Sequence, residues 1–335
     1  MLRIDVQGLT KEFKVHQARP GLAGAFRDLF NRKYKYIRAV DQIDLQVAEG
    51  EMVGYIGENG AGKSTTIKML TGILSPTSGH IRVNGMIPYK QREEYVRTIG
   101  VVFGQRSQLW WDIAVQESFR LLQKVYRVKD NRHLNHMIEA LDIGELLDKP
   151  VRKLSLGQRM RCELVAALIH NPPLVFLDEP TIGLDVLVKL KIRDFLKEMN
   201  RRYGTTILLT THDLSDIEAL CPRVVILDKG KIIYDGALQT LKDNWGGGKS
   251  IQIEFAESIT PEELPSHLAW KRLSPVQYST QLNGLAVSDL LQQVAHLKVK
   301  DVTIIETSTE EIVRHIYEEG MEQQERGHSW VKQSI

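Results

Sequence analysis

Apolar and polar residues alternate over residues 2–6 and again at Ile43, Leu45 and Val47, ahead of the turn Ala48-Glu49-Gly50. This period of two predicts half-buried strands. Residues 52–56 form an unbroken apolar run that predicts a buried strand, followed by a glycine-rich loop and a helix to about Leu74. A turn at 75–79, a short strand at 81–83 and a further strand at 99–103 come next. Residues 116–148 read as helical and are closed by Pro150, and a long helix is expected over 155–170. A short apolar strand at 174–177 is of the buried parallel type. A helix at 186–203, a strand at 206–210 and a hairpin (224–227 with 231–234, around Asp228-Lys229-Gly230) complete the pattern. Strands and helices in alternation predict an α/β layer fold.

Two stretches interrupt this order. Residues 16–38 carry Leu22, Phe26, Leu29 and Phe30 at helical spacing, with five arginines and lysines between Arg27 and Arg38. They read as a short amphipathic helix packed on the core, or alternatively as a contact with a membrane surface or partner. Residues 244–250, with three successive glycines, read as a linker. Beyond it, a strand at 251–255, helices at 285–297 and 309–319 and a strand near 302–305 predict a small α/β unit. The expected division is residues 1–243, with a helical part at about 106–170, then 250–327 and a loose tail at 328–335.

Composition narrows the picture. The chain has 335 residues, 42% of them hydrophobic, which suffices for a sizeable core. Its 44 basic and 42 acidic residues give a net charge of +2, so no nucleic-acid partner is expected. The two cysteines, Cys162 and Cys221, are far apart in sequence and suggest neither a metal nor a dithiol site. They fit a reducing, cytosolic compartment. The first residues lack the apolar core of a signal peptide. The densest late apolar stretch, 164–177, is broken by His170, Asn171 and two prolines, short of the roughly 20 apolar residues that span a bilayer.

The chemistry lies in three segments. Gly57-Glu58-Asn59-Gly60-Ala61-Gly62-Lys63-Ser64 fits GxxxxGK[ST], between an apolar strand and a helix. Glycines let the backbone wrap a phosphate, and the helix N-terminus presents amides to it, with Thr65 in the same turn. Lys63 is expected to reach the β- and γ-phosphates and Ser64 to hold Mg²⁺. The apolar run 174–177 ends in Asp178-Glu179-Pro180. Asp178 suits Mg²⁺ binding through water, and Glu179 suits activation of an attacking water. Taken alone, the pair could be merely an acidic turn after a strand. Leu154-Ser155-Leu156-Gly157-Gln158-Arg159 precedes the long helix, with Ser155 as a plausible N-cap and a second set of free amides for an anion.

With this third segment the sequence resembles the ABC ATPase family. The fragment is similar to that family's LSGGQ signature, with Leu156 in place of the first Gly. The resemblance covers about residues 2–240 and implies phosphate contact through Ser155, Gly157 and Gln158. Gln105, after strand 99–103, resembles the Q-loop glutamine that touches Mg²⁺ and the attacking water. Gly183-Leu184-Asp185 resembles the D-loop, and Thr211-His212-Asp213 resembles the H-loop, whose His212 would contact the γ-phosphate. The family stacks an aromatic ring on adenine, for which Tyr36 and Tyr34 are candidates. The implied fold is a P-loop NTPase (RecA-like) ABC ATPase core with a helical subdomain, plus the small C-terminal α/β domain. The implied cofactors are ATP and Mg²⁺. In the family, the signature of one domain closes on the phosphate loop of a second, so a homodimer is implied. Its reopening after hydrolysis would turn chemistry into motion.

Residues 59–64, 77–79 and 179–185 and the α/β tail are similar to ATPases of ABC-2 type exporters. The stretches 108–112 and 153–160 look like the viologen and multidrug exporter branch. The resemblance implies separate transmembrane permease subunits and a peripheral place on the cytoplasmic face of the membrane. Residues 106–116 would dock the permease, with Trp110 and Trp111 as apolar anchor or, alternatively, as local core. An importer ATPase is the nearest rival reading. A ribosome-acting ABC ATPase would carry two cassettes and a basic linker, and a chromosome-type one would carry long heptad coils. Neither pattern is present in this sequence.

Overall fold

The apolar runs become the inner strands of a sheet. The computed structural model describes residues 1–16, 34–104, 106–245, 249–282, 285–306, 308–314 and 316–317. The chain packs as two units, Met1–Asp235 and Gly236–Ile335. The first begins with β1 (Leu2–His16), β2 (Tyr34–Ala48), β3 (Met52–Gly57), α1 (Lys63–Leu70), β4 (Ser78–Val83), the short α2 (Arg92–Tyr95) and β5 (Ile99–Phe103). Three helices follow: α3 (Val115–Tyr126), α4 (Arg132–Ala140) and α5 (Leu156–Leu168). Then come β6 (Leu174–Asp178), α6 (Val186–Tyr203), β7 (Thr206–Thr210), α7 (Leu214–Leu220), β8 (Arg223–Asp228) and β9 (Lys231–Ala237).

A six-stranded sheet has the order β5-β6-β7-β3-β8-β9, with β5, β6, β7, β3 and β8 parallel. An antiparallel sheet, β2-β1-β4, packs on one of its faces. Their common core joins Ile4, Val6 and Leu45 to Tyr55, Phe176 and Val225, with Ile67 and Met69 of α1 between. Each such buried side chain contributes about 1.5–3 kcal/mol. Crossing helices force the parallel strands inward, so both faces of β6 are apolar and its carboxylate falls at the open, C-terminal edge. The phosphate loop leaves β3 at that same edge.

The second unit holds α8 (Leu238–Trp245), β10 (Lys249–Phe255), β11 (Lys271–Ser274), β12 (Gln277–Gln281), α9 (Val287–Gln293) and β13 (Val299–Glu306). Its antiparallel sheet has the order β11-β12-β10-β13, over a core of Ile251, Ile253, Phe255, Tyr278, Leu290 and Val294.

Several expectations need correction. The helical stretch expected over 116–148 holds two separate helices, because Arg127 adopts a left-handed conformation (φ 57°) that stops α3. His16 and residues 34–38, expected within an amphipathic helix, extend β1 and β2 into a ribbon paired from Glu12↔Arg38 to His16↔Tyr34. The rest of that expectation, residues 17–33, lies outside the described residues. Asn244 and Trp245, expected in a linker, close α8, and Lys249 and Ser250 open β10, while 246–248 lie outside the described residues.

Candidate active site

The start of α1 is built by close backbone approach. Gly62 sits before it at φ 106°, and a Cβ there would lie 2.5 Å from the carbonyl oxygen of Ala39, so no other residue fits. No side chain caps α1, and the first-turn amides of Lys63, Ser64 and Thr65 have no acceptor inside the helix. The loop is braced by Ala61 N–H donating to Glu58 (3.1 Å) and Gly230 N–H donating to Ala61 (3.0 Å). Gly57, Asn59 and Gly60 complete its outer turn, and Gly60 has φ 86°. Ser64 is exposed at the rim.

Lys63 is almost wholly buried, and its Nζ donates to the carbonyls of Gly57 (2.6 Å) and Glu58 (3.1 Å). Burial pushes its pKa down, opposed by the carboxylates of Glu179, Asp178 and Glu58. A cation in an amide-lined loop at a helix N-terminus is a donor set that fits a polyphosphate.

The carboxylates stand opposite. Thr210 Oγ1 donates to Asp178 Oδ1 at 2.6 Å. Glu179 holds the left-handed region (φ 58°), a strained conformation for a residue with a Cβ. Its N–H donates to the Thr210 carbonyl (2.9 Å), and its Oε2 is 2.5 Å from Nδ1 of His212. The kink turns Glu179 away from the strand line, and His212, after β7, fixes its carboxylate. Such a pair can orient a water and accept its proton.

Gln105 lies outside the described residues. Beside it, Gly104 N–H donates to the Asp178 carbonyl (2.8 Å), and a Cβ on Gly104 would lie 2.4 Å from the Glu179 carbonyl oxygen. Gly104 and Thr210 therefore shape the acidic edge, and sequence reasoning passed over both. A glycine directly after an apolar strand was the available signal for the first.

Ser155, Gly157 and Gln158 are not gathered into this group. Ser155 caps α5, accepting from Gln158 N (3.3 Å), while its own N–H donates to Gln158 Oε1 (3.0 Å). Gly157 lies against Val188 of α6, and Leu156 packs on Gly183. Asp185 caps α6 by accepting from Val188 N (2.9 Å), which gives it a structural task beside any contact with nucleotide. Behind it, the buried Asp216 accepts from Thr181 Oγ1 and from Arg193 Nε (2.6 Å), locking the segment after Glu179 to α6 and α7. Tyr36 lies on the ribbon opposite Lys14, with 62% of its surface exposed. Phe13, opposite Ile37, stands one residue pair nearer to Ala39, which touches Gly62. Sequence reasoning overlooked it as well.

The family model for ABC transporters matches residues 40–182. The chain is 33% identical to the ABC transporter ATP-binding protein NatA of Bacillus subtilis, over 64% of this chain and 88% of that one. It is 33% identical to the methionine import ATP-binding protein MetN of Geobacillus kaustophilus, over 81% of this chain and 82% of that one. It is 29% identical to the daunorubicin resistance ATP-binding protein DrrA3 of Streptomyces coeruleorubidus, over 85% of this chain and 93% of that one. Among solved structures, the dimeric post-hydrolysis cassette MJ0796 bound to ADP and Pi superposes with a TM-score of 0.58 at 25% identity, covering 70% of this chain and 98% of that one. A glycine-built phosphate loop facing a strained carboxylate, on a P-loop NTPase sheet shared with these relatives, assigns this chain to the ABC transporter family, as one of its ATP-binding and ATP-hydrolysing subunits.

Proposed function

We propose that the chain drives a membrane exporter of the ABC-2 type. It works as a homodimer, at the cytoplasmic face of the membrane, on separate transmembrane permease subunits. The observation that carries the catalytic part is the Glu179–His212 pair facing the buried Lys63. Glu179 accepts the proton of the attacking water and His212 holds that carboxylate in place. Lys63 and the first-turn amides of α1 bind the phosphates. Ser64, Asp178 and Gln105 are the residues that would hold Mg²⁺, which supplies charge neutralisation at the β- and γ-phosphates. Phe13, nearer to the loop, competes with Tyr36 for the adenine.

A second copy has a surface waiting for it. Val186 and Leu187 are 71% and 78% exposed, and Leu156, Ile182 and Leu190 are exposed around them. The packing of Leu156 on Gly183 and of Val188 on Gly157 makes these residues one apolar patch beside the signature. The match to a dimeric cassette supports the same partner. For the permease, residues 106–116 present Trp110 and Trp111, about half exposed, above a buried Leu109. No described helix is long and apolar enough to cross a membrane. Outward transport of a drug-like, lipid or other small substrate rests on the likeness to a drug-resistance protein. The import reading has a specific support too, since the methionine import relative matches 81% of this chain.

The test is a tagged pull-down from detergent-solubilised native membranes with ATP, using Glu179→Gln to hold the assembly closed. Stoichiometric recovery of multi-spanning proteins is expected. Co-recovery of an extracellular binding protein would favour import, and recovery of ribosomes or DNA-associated proteins without a membrane partner would overturn transport.

A further inference from the structure

Glu163, in the middle of α5, is 3% exposed and takes no part in the hydrolysis chemistry. No cation pairs with its carboxylate directly among the described residues. Its Oε1 accepts from the Ser107 hydroxyl, and its Oε2 accepts from the Gln108 N–H at 2.9 Å. Ser107 Oγ in turn accepts from the Leu109 N–H (3.2 Å), so residues 107–109 wrap the carboxylate. Burial raises the pKa of this group, and the donors of Ser107, Gln108 and Leu109, with the charge of Arg159, work against that rise. A buried carboxylate whose donors are removed is costly, so α5 cannot part from residues 107–109 cheaply. One turn earlier on α5, the Arg159 guanidinium lies 5.5 Å from the ring centre of Trp111, a second hold on the same segment.

These contacts connect two surfaces. Residues 106–116 carry the exposed tryptophans assigned to the permease. The N-terminus of α5 carries the Ser155 cap and Gly157, assigned to the second copy's ATP. We propose that Glu163 is a positioning residue that makes the permease-docking segment and the signature helix move as one body. The proposal rests on the composite-site reading given above. Coupling of this kind needs an element that both sites bias, and α5 with residues 107–111 is such an element. On its other side the segment is held to β5, where Gln108 Nε2 donates to the Val101 carbonyl. The expected motion therefore strains that bond rather than the one to Glu163.

Hydrogen exchange on the full chain carrying Glu179→Gln, with and without ATP and Mg²⁺, tests this without a permease. ATP is expected to slow exchange in peptides covering 155–165 and also in those covering 106–112, by about tenfold. Adding Glu163→Ala is expected to leave the change at 155–165 and remove it at 106–112. Glu163→Gln, which keeps one acceptor oxygen and the side-chain volume, is expected to fall between the two. It carries the test if the alanine variant does not fold. An undiminished ATP response at 106–112 in both variants would overturn the tether while leaving the composite site intact. A parent chain with no response at 155–165 would overturn the composite site, and the tether with it. Loss of the response in both segments, with ATP still bound, would show Glu163 to be a general fold residue and also overturn the proposal.

Discussion

Two helices in this chain begin at sites expected to meet phosphate, and they begin in opposite ways. At α1 the N-cap is Gly62 in the left-handed region, no side chain caps the helix, and the first-turn amides are left open beside Lys63. At α5 Ser155 and Gln158 close a reciprocal capping box, so the helix end is satisfied by its own side chains. The first start is preorganised for an anion and stable because the backbone around Gly62 leaves no other arrangement. The second is complete in itself, and in the proposed composite site it would exchange a cap bond for a phosphate brought by another molecule. In the proposed function, one end binds nucleotide and the other meets the phosphate held by a second copy.

The largest expected effect bears on the step between these two events. Glu179→Gln removes the proposed proton acceptor and leaves both helix starts intact. Turnover should fall by about 10²–10⁴-fold, with ATP affinity unchanged and dimer accumulating in ATP. Steady-state hydrolysis and gel filtration of the same preparation check both halves. Turnover near the parent value would move the base elsewhere.

The contrast itself can be broken by exchanging the damage. Lys63→Ala should weaken ATP binding to the monomer roughly 10- to 100-fold, the range for hydrogen bonds to a charged group. Ser155→Arg should leave that affinity alone and stop hydrolysis, since its side chain would fill the space the partner's phosphate needs. Isothermal titration at concentrations below dimer formation separates the two. Loss of monomer affinity in Ser155→Arg would mean that α5 belongs to the same site as α1.

Much of this contrast is legible in the sequence, and the reasons are local. The glycine spacing of 57–64 encodes a backbone path, and the run 174–177 encodes a strand with both faces covered. Asp178, Glu179, His212 and the Ser155 cap sit at element ends, which hydrophobic periodicity marks. What escapes is set by contacts between residues distant in sequence. Glu163 meets Ser107 across 56 positions, and nothing in its helical pattern announces a buried carboxylate. Gly104 is fixed by the Glu179 carbonyl and Thr210 by Asp178. The break at Arg127 has no glycine or proline to mark it. Strands β11 and β12 are mostly polar, with Tyr278 and Thr280 as their buried residues. His16 and residues 34–38 are strand rather than helix because β1 and β2 pair there with each other.

A smaller effect sharpens the comparison at the far end of α5. His170, just past that helix, stacks on Tyr126 (3.9 Å between ring centres), and its Nε2 is 3.1 Å from the Ile99 carbonyl of β5. Burial lowers its pKa to about 4, against the pull of that carbonyl. The unfolded chain thus binds a proton that the folded one refuses between the ordinary histidine value and about pH 4. Stability is full above that window and is lost as pH falls through it. Between pH 7 and pH 5 the loss should be about 2 kcal/mol. Urea titrations at both pH values should show it in the parent and a much smaller change in His170→Phe. Equal pH dependence in the two would remove His170 as the cause.

The mildest change tests the cap at the other end of α5 directly. Ser155→Ala removes the oxygen that accepts from Gln158 N, while Gln158 can still accept from the backbone N–H of residue 155. The cost should be about 1 kcal/mol of stability, the usual value of an N-cap. Ser155→Thr restores a hydroxyl and should recover most of it. At α1 no comparable substitution exists, because no side chain caps that helix. If Ser155→Ala is fully stable yet hydrolyses ATP slowly, the hydroxyl serves the partner's phosphate more than its own helix, and the two helix starts are more alike than their caps suggest. If stability and turnover fall together and Thr restores both, the cap is what holds Ser155 ready, and the contrast between the helices stands.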